Sequence, residues 1–114
     1  MKYVNITNTE LTVSVVCLGS SHFGSLISEE TAFEILDRFT EGGGNFIDTA
    51  NVYGRWHPGG QNLSEQVIGR WLKSRNAYGK LIVATKAAHY DPKTPQIMRL
   101  SEDDINKDIR VGSE

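Results

Sequence analysis

Asn45-Phe46-Ile47-Asp48-Thr49-Ala50-Asn51-Val52-Tyr53-Gly54 is the stretch on which the reading of this chain turns. Its apolar start predicts a short buried strand. Its polar end delivers a carboxylate, Asp48, and a phenol, Tyr53, just past that strand. A second run, Lys80-Leu81-Ile82-Val83-Ala84-Thr85-Lys86, reads as another strand and ends in an amine. In parallel α/β folds the C-terminal edge of the strands is where sites are built. An acid, a phenol and an amine on neighbouring strand ends make a proton-donating site if the fold joins them.

Working outward, residues 3–13 alternate through Tyr3, Val4, Ile6, Leu11 and Val13 around Asn8, which predicts a β-hairpin with Asn8 in the turn. Val15-Val16-Cys17-Leu18 is a continuous apolar run, the pattern of a strand covered on both faces. It stops at Gly19-Ser20-Ser21-His22-Phe23-Gly24, a small and polar segment suited to close approach by a ligand. Ser28 reads as an N-cap with Glu29 and Glu30 in the first turn, and Ala32, Ile35, Leu36 and Phe39 form one apolar stripe. Gly42-Gly43-Gly44 follows this helix rather than a strand and has no Gly-Lys-Ser/Thr, so it reads as a helix end and turn, not a phosphate loop. Asn62 with Glu65 resembles a capping box opening a second helix, whose buried face is Val67, Ile68, Trp71 and Leu72. Ser101 opens a third, with Glu102, Asp103 and Asp104 in its first turn and Ile105 and Ile109 one turn apart; the sequence ends within it.

The order is a hairpin, then strand and helix three times. Alternating β and α means a parallel sheet with right-handed crossovers. A closed barrel of eight such units takes about 250 residues. The α/β fold is thus either a small open three-stranded sheet or the opening third of a (β/α)8 TIM barrel, with no internal domain boundary in 1–114.

The bulk properties narrow the function. The chain has 114 residues, 39% hydrophobic and 23% charged, with net charge −2 and pI near 5.9. That gives no electrostatic case for nucleic acid or an anionic membrane as partner. No run approaches the roughly 18 apolar residues of a membrane span, and Met1 to Asn5 lacks the apolar region of a signal peptide, so a cytoplasmic protein is expected. Cys17 is the one cysteine, which excludes an internal disulfide and, inside its apolar run, predicts a buried, inert thiol.

A free tyrosine has a pKa of about 10, too high to share a proton efficiently at neutral pH. A neighbouring ammonium lowers that value, and a carboxylate keeps the ammonium charged and aimed. Lys86 and Asp48 supply these groups, and Tyr53 then acts as general acid toward a carbonyl oxygen, with a nicotinamide cofactor as hydride source. Each residue also has a plainer role, as a turn cap, a rim aromatic or a solvated cation. All three at successive strand ends weigh toward a site. No G-x-G-x-x-G follows a strand, which argues against a Rossmann dehydrogenase.

Leu18-Gly19-Ser20-Ser21-His22-Phe23-Gly24, Phe46-Ile47-Asp48-Thr49-Ala50-x-x-Tyr53-Gly54, Ser64-Glu65-x-x-Ile68-Gly69 and Ile82-Val83-Ala84-Thr85-Lys86 resemble the N-terminal part of the aldo-keto reductases. The resemblance covers essentially the whole chain, including the hairpin that closes the bottom of the family's barrel. It implies the N-terminal third of a (β/α)8 barrel and the reduction of aldehydes and ketones with NADPH. It implies Tyr53 as proton donor, Lys86 as the group that lowers its pKa, and Asp48 as partner of Lys86 at the cofactor. Ser21, His22 and Phe23 match the segment beside the nicotinamide, where family members usually have Gly-Thr-Trp. Trp56 and His57 would flank the substrate pocket or form a packing loop. No metal is implied.

The family's fourth catalytic residue is a histidine at the end of strand four, and none of His22, His57 and His89 occupies that position. Its segments for the cofactor's adenosine phosphate come from the last strands. The expectation is therefore a fragment of an NADPH-dependent carbonyl reductase acting on a small-molecule carbonyl, with little activity alone. The alternative is a non-catalytic assembly module whose open strand edges lead to self-association or to a partner chain.

Overall fold

In a computed structural model the chain is described over residues 1–113. Strands β1 (Tyr3–Asn5) and β2 (Thr12–Ser14) form the antiparallel hairpin. Asn8 takes φ +62° in its turn, a conformation asparagine tolerates better than most residues. The hairpin is anchored below the sheet. Tyr3 Oη donates to the Gly43 carbonyl (2.7 Å), and Asn45 Oδ1 accepts from the Ser14 amide (2.7 Å).

Strands β3 (Leu18–Gly19), β4 (Phe46–Asp48) and β5 (Ile82–Ala84) form a parallel sheet in the order β3-β4-β5. Neighbours in sequence are neighbours in space, the winding with which a barrel begins. The crossovers are α1 (Glu29–Glu41) and α2 (Leu63–Ser74), and α3 (Glu102–Ser113) follows β5.

Ser28 caps α1 as expected, its Oγ accepting from the Thr31 amide (3.2 Å). The helix stops at Gly42, and Gly43 turns the chain at φ +88°, accessible to glycine at little cost. This triple glycine is a turn. The cap of α2 departs from expectation. Asn62 sits at φ +35° and makes no side-chain bond to the helix backbone; its Oδ1 accepts from Gln66 Nε2 (2.9 Å) instead. Glu65 does not complete a capping box, because its carboxylate turns toward β5 and accepts the Thr85 hydroxyl.

The core lies between the sheet and α1 and α2. It contains Phe23, Ala32, Leu36, Ile47, Val67, Ile68 and Trp71. Full burial of a side chain such as Leu36 or Ile47 contributes about 1.5–3 kcal/mol. Polar clamps brace the two helices from outside. Asp37 of α1 accepts from Trp71 Nε1 (2.9 Å) and from Arg75 Nε and Nη2 (2.9 and 2.7 Å).

The helices cover one sheet face only. Val15 and Val16 are 56% and 53% exposed, and Cys17 is exposed rather than buried. The expectation of a strand over Val15 to Leu18 covered on both faces fails: the chain bends through residues 15–17, the strand is only Leu18–Gly19, and Val15, Val16 and Cys17 stay exposed. Burial still pushes the Cys17 thiol up, with the Asp48 charge adding to it and Lys86 opposing, so the neutral thiol is favoured. No described helix is long and apolar enough to cross a membrane.

Candidate active site

Parallel register sets the site. Gly19 pairs with Asp48, and Asp48 with Ala84, so the three strands end level. Strand geometry sends alternate side chains to opposite faces. Ile47 goes into the core, wholly buried, and Asp48 stays partly exposed at the strand end. Past the ends the backbones remain tied, with the Thr49 amide donating to the Ala84 carbonyl (2.8 Å) and the Asn51 amide to the Lys86 carbonyl (3.0 Å).

These ties bring together three of the residues the sequence singled out. Lys86 Nζ donates to Asp48 Oδ1 (2.7 Å) and to the Thr49 carbonyl (2.8 Å). The same ammonium stands 5.1 Å from the centre of the Tyr53 ring. Burial acts to lower the Lys86 pKa, but the hydrogen bond and charge of Asp48, with a smaller contribution from Tyr53, outweigh it and leave the lysine raised. The group is held protonated.

Tyr53 lies in a run of tight turns, with its amide donating to the Ala50 carbonyl (3.1 Å) and the Arg55 amide to Val52 (2.9 Å). Gly54 follows at φ +97°, and a Cβ there would stand 2.5 Å from Leu63 Cβ. The residue next to the phenol is thus restricted to glycine on two grounds.

Trp56 joins the site. Its ring centroid is 6.1 Å from that of Tyr53 and 6.2 Å from that of His22. Trp56 therefore borders the Tyr53 ring, and His22 borders Trp56. His57 is exposed, and its Nδ1 contacts only the Pro58 carbonyl among its described hydrogen bonds (3.2 Å). Ser21 is partly buried on the loop between Ser20 and His22. Phe23 departs from its expected place beside a cofactor. Its ring is 2% exposed and belongs to the core, because the turn formed by the Phe23 amide on the Ser20 carbonyl (3.1 Å) directs this apolar side chain inward. His89 is exposed and stacks on Tyr90, 4.3 Å between centroids.

Two features escaped sequence reasoning. One is a line of buried hydroxyls. Ser20 Oγ donates to the Asp48 carbonyl (2.7 Å), Ser20 and Ser64 Oγ are 2.7 Å apart, and Thr49 Oγ1 and Ser64 Oγ are 2.8 Å apart. A hydroxyl has one proton to give. With that of Ser20 committed, Ser64 donates to Ser20 and Thr49 donates to Ser64. The line links the first turn of α2 to the strand ends that carry Asp48 and receive Lys86. The other is the Arg99–Asp108 pair. Arg99 Nη2 and Nη1 donate to the two oxygens of Asp108 (2.9 and 3.1 Å), and the Ala88 amide donates to Asp108 Oδ2 (2.9 Å), fastening the loop after β5 to α3. Neither has a local sequence signal, since the partners are far apart in the chain. Among the described residues no group of three or more His, Cys, Asp or Glu is placed to hold a metal ion.

Known proteins are similar to this chain in sequence and in fold. The aldo/keto reductase family profile matches residues 15–114. The chain is 47% identical over 81 residues to norsolorinic acid reductase stcV of Emericella nidulans, a match spanning 65% of this chain and 19% of that protein. It is 38% identical over 84 residues to an aryl-alcohol dehydrogenase [NADP(+)] of Phanerodontia chrysosporium, spanning 67% of this chain and 20% of that protein. Among solved structures, the holo form of aldo-keto reductase AKR11C1 from Bacillus halodurans superposes with a TM-score of 0.77 at 27% identity, over 98% of this chain and 35% of that one. The chain thus spans about a fifth of those curated relatives and about a third of that structure. The architecture is that of the N-terminal part of a (β/α)8 barrel, and the chain belongs to the aldo/keto reductase family.

Proposed function

We propose that this chain carries the proton-donating edge of an NADPH-dependent reductase of aldehydes and ketones. The observation that carries the reading is the Lys86 ammonium, held 2.7 Å from Asp48 and 5.1 Å from the Tyr53 ring. A cation so placed favours the phenolate and so lowers the cost of releasing the phenol proton. Tyr53 gives its proton to the carbonyl oxygen of the substrate as negative charge develops there. Asp48 keeps Lys86 protonated and aimed throughout.

The residues at this edge fit the nicotinamide end of a dinucleotide. A Cβ at Gly19 would meet nothing within 4 Å, so the floor beside β3 is open. The Asp48 side chain is 41% exposed and able to accept from a ribose hydroxyl. Ser21 and His22 stand on the adjoining loop as further polar contacts, whereas the side chain of Phe23 does not. NADPH, when bound, supplies the hydride. The name of the Phanerodontia relative supports NADP as the cofactor and an aromatic substrate class. Trp56 beside Tyr53, with His22 against Trp56, suits such a substrate. A cytoplasmic location is also part of this reading.

The test is a chimera in which this chain replaces the matching third of the Bacillus halodurans reductase. NADPH oxidation with an aromatic aldehyde is expected in the chimera and is expected to fall by at least about 100-fold with Tyr53→Phe, the scale of a lost general acid. A folded chimera in which Tyr53→Phe changes nothing would remove Tyr53 from the role. Alone, the chain is expected to turn over little, because the sheet face beside the site is open to water.

The exposure of Val15 and Val16 favours a second reading, an assembly module whose exposed apolar segment between β2 and β3 is covered by another copy or chain. A discrete oligomer in sedimentation, with no NADPH-induced fluorescence change, is its signature.

A further inference from the structure

We infer that the cleft between the loop after β4, the loop after β5 and α3 is a binding site for a small aromatic carboxylate. The cleft has a volume of about 620 Å³. Four cationic side chains line it, Arg55, Lys93, Arg99 and Lys107, against two carboxylates, Asp91 and Asp108. The chain as a whole carries net charge −2, so this concavity is locally inverted in sign.

The cations are not all committed. Arg99 is matched by Asp108, and its Nε lies 3.7 Å from Asp104. Arg55 donates to a neutral acceptor, Asn51 Oδ1 (2.7 Å), and its charge also acts on Asp108. Among the described residues the ammoniums of Lys93 and Lys107 have no carboxylate within ion-pair distance. With Asp91 and Asp108 set against the four cations, the lining keeps an excess of two positive charges, which is the electrostatic arrangement of an anion site. Arg55 offers the planar fork that matches a carboxylate, and the lysines of the lining add point charges.

The apolar part of the wall decides the ligand class further. Trp56 and Pro58 line the same cleft, and Trp56 is 49% exposed, leaving an apolar surface beside the charges. A ligand with a ring for Trp56 and a carboxylate for Arg55, Lys93 and Lys107 satisfies both. The inference does not depend on the reduction at Tyr53, because the site binds an anion whether or not a hydride is transferred nearby.

The test is a titration of this chain with sodium benzoate, followed through the backbone amide resonances of Arg55, Trp56, Lys93 and Lys107. Saturable shifts at these positions are expected. The double variant Lys93→Gln/Lys107→Gln should weaken binding by about tenfold, the sum of two exposed charge contributions. Lys80→Gln, at a lysine outside the cleft, should leave binding unchanged. Raising ionic strength from about 0.01 to about 1 M shortens the screening length from about 30 to about 3 Å and should also weaken it. Benzyl alcohol, similar in shape and uncharged, should bind at least about tenfold less tightly. Shifts that never saturate, benzyl alcohol binding as well as benzoate, or binding untouched by the double variant would each overturn the inference. Both lysines are exposed on the surface, so the variants are expected to fold.

Discussion

Lys86 Nζ meets Asp48 Oδ1 at 2.7 Å across the gap between two parallel strands, and the contact raises the proton affinity of the lysine. Both side chains are about half exposed, so the pair contributes under about 1 kcal/mol to stability. A lysine whose folded pKa exceeds its unfolded value contributes fully below the unfolded value of about 10.4 and loses that contribution as pH rises through the folded one. Asp48→Asn is therefore expected to lower the Lys86 titration midpoint and barely shift the unfolding curve at neutral pH. A ¹³C titration of the lysine Cε resonances reads this directly; an unchanged midpoint would show that Asp48 does not hold the proton.

Ser64→Ala interrupts the hydroxyl line in its middle. The hydroxyls of Ser20 and Thr49 each lose a partner in a buried setting. We expect a loss of about 1–3 kcal/mol, measured as a lower urea midpoint with an unchanged slope. A variant as stable as the parent would mean that the line is not closed in solution.

Asp37 supplies an acid-sensitive contact between α1 and α2. The hydrogen bond from Arg75 lowers its pKa; burial opposes this, and Trp71 and the Arg75 charge add to the lowering. A carboxyl with a depressed folded pKa stabilises the fold above its unfolded value, about 3.9, and loses that effect as pH falls through the lower folded value. Asp37→Asn is expected to be less stable near neutrality and to change less with pH below about 4. Circular dichroism of the two proteins across that range should show the curves converging on the acid side; parallel curves would refute the linkage.

Gly54→Ala combines a strained backbone with a clash, since Gly54 holds φ +97° and its Cβ would press on Leu63. The two effects together are expected to cost about 2–4 kcal/mol. Because Gly54 adjoins Tyr53, the amide resonances of residues 53 and 63 should move together. Thermal unfolding of an alanine variant at the parental temperature would contradict both effects.

What the sequence disclosed follows from the range of the forces involved. Ser28, Asn8 and the glycines after α1 act on backbone atoms a few residues away, and each was legible by residue type and position. Asp48 and Lys86 could be placed as neighbours because each follows an apolar run that the parallel register aligns, and Tyr53 comes in the turns past Asp48. Asn62 misled because asparagine serves two local geometries, and here it adopts the left-handed one and binds Gln66 rather than the backbone. Phe23 misled because it lies in a small, polar stretch, while its own apolar area drives it into the core. Val15, Val16 and Cys17 misled because an apolar run reads as a strand, whereas the chain bends there between β2 and β3 and leaves all three exposed. The hydroxyls of Ser20, Thr49 and Ser64 find one another only after folding, so their types alone carried no signal.

The level strand ends have a consequence for how this gene tolerates changes in length. Pairing of Gly19 with Asp48 and of Asp48 with Ala84 leaves each side chain on a face fixed by counting residues. Loss of a single codon within 46–48 would move Asp48 to the opposite face and bring a core residue to the rim. Between 55 and 61 the chain runs through turns at the surface, and a codon gained or lost there would leave that alignment intact. Length variation among descendants of this sequence is expected to collect in that loop and to be absent from the strands.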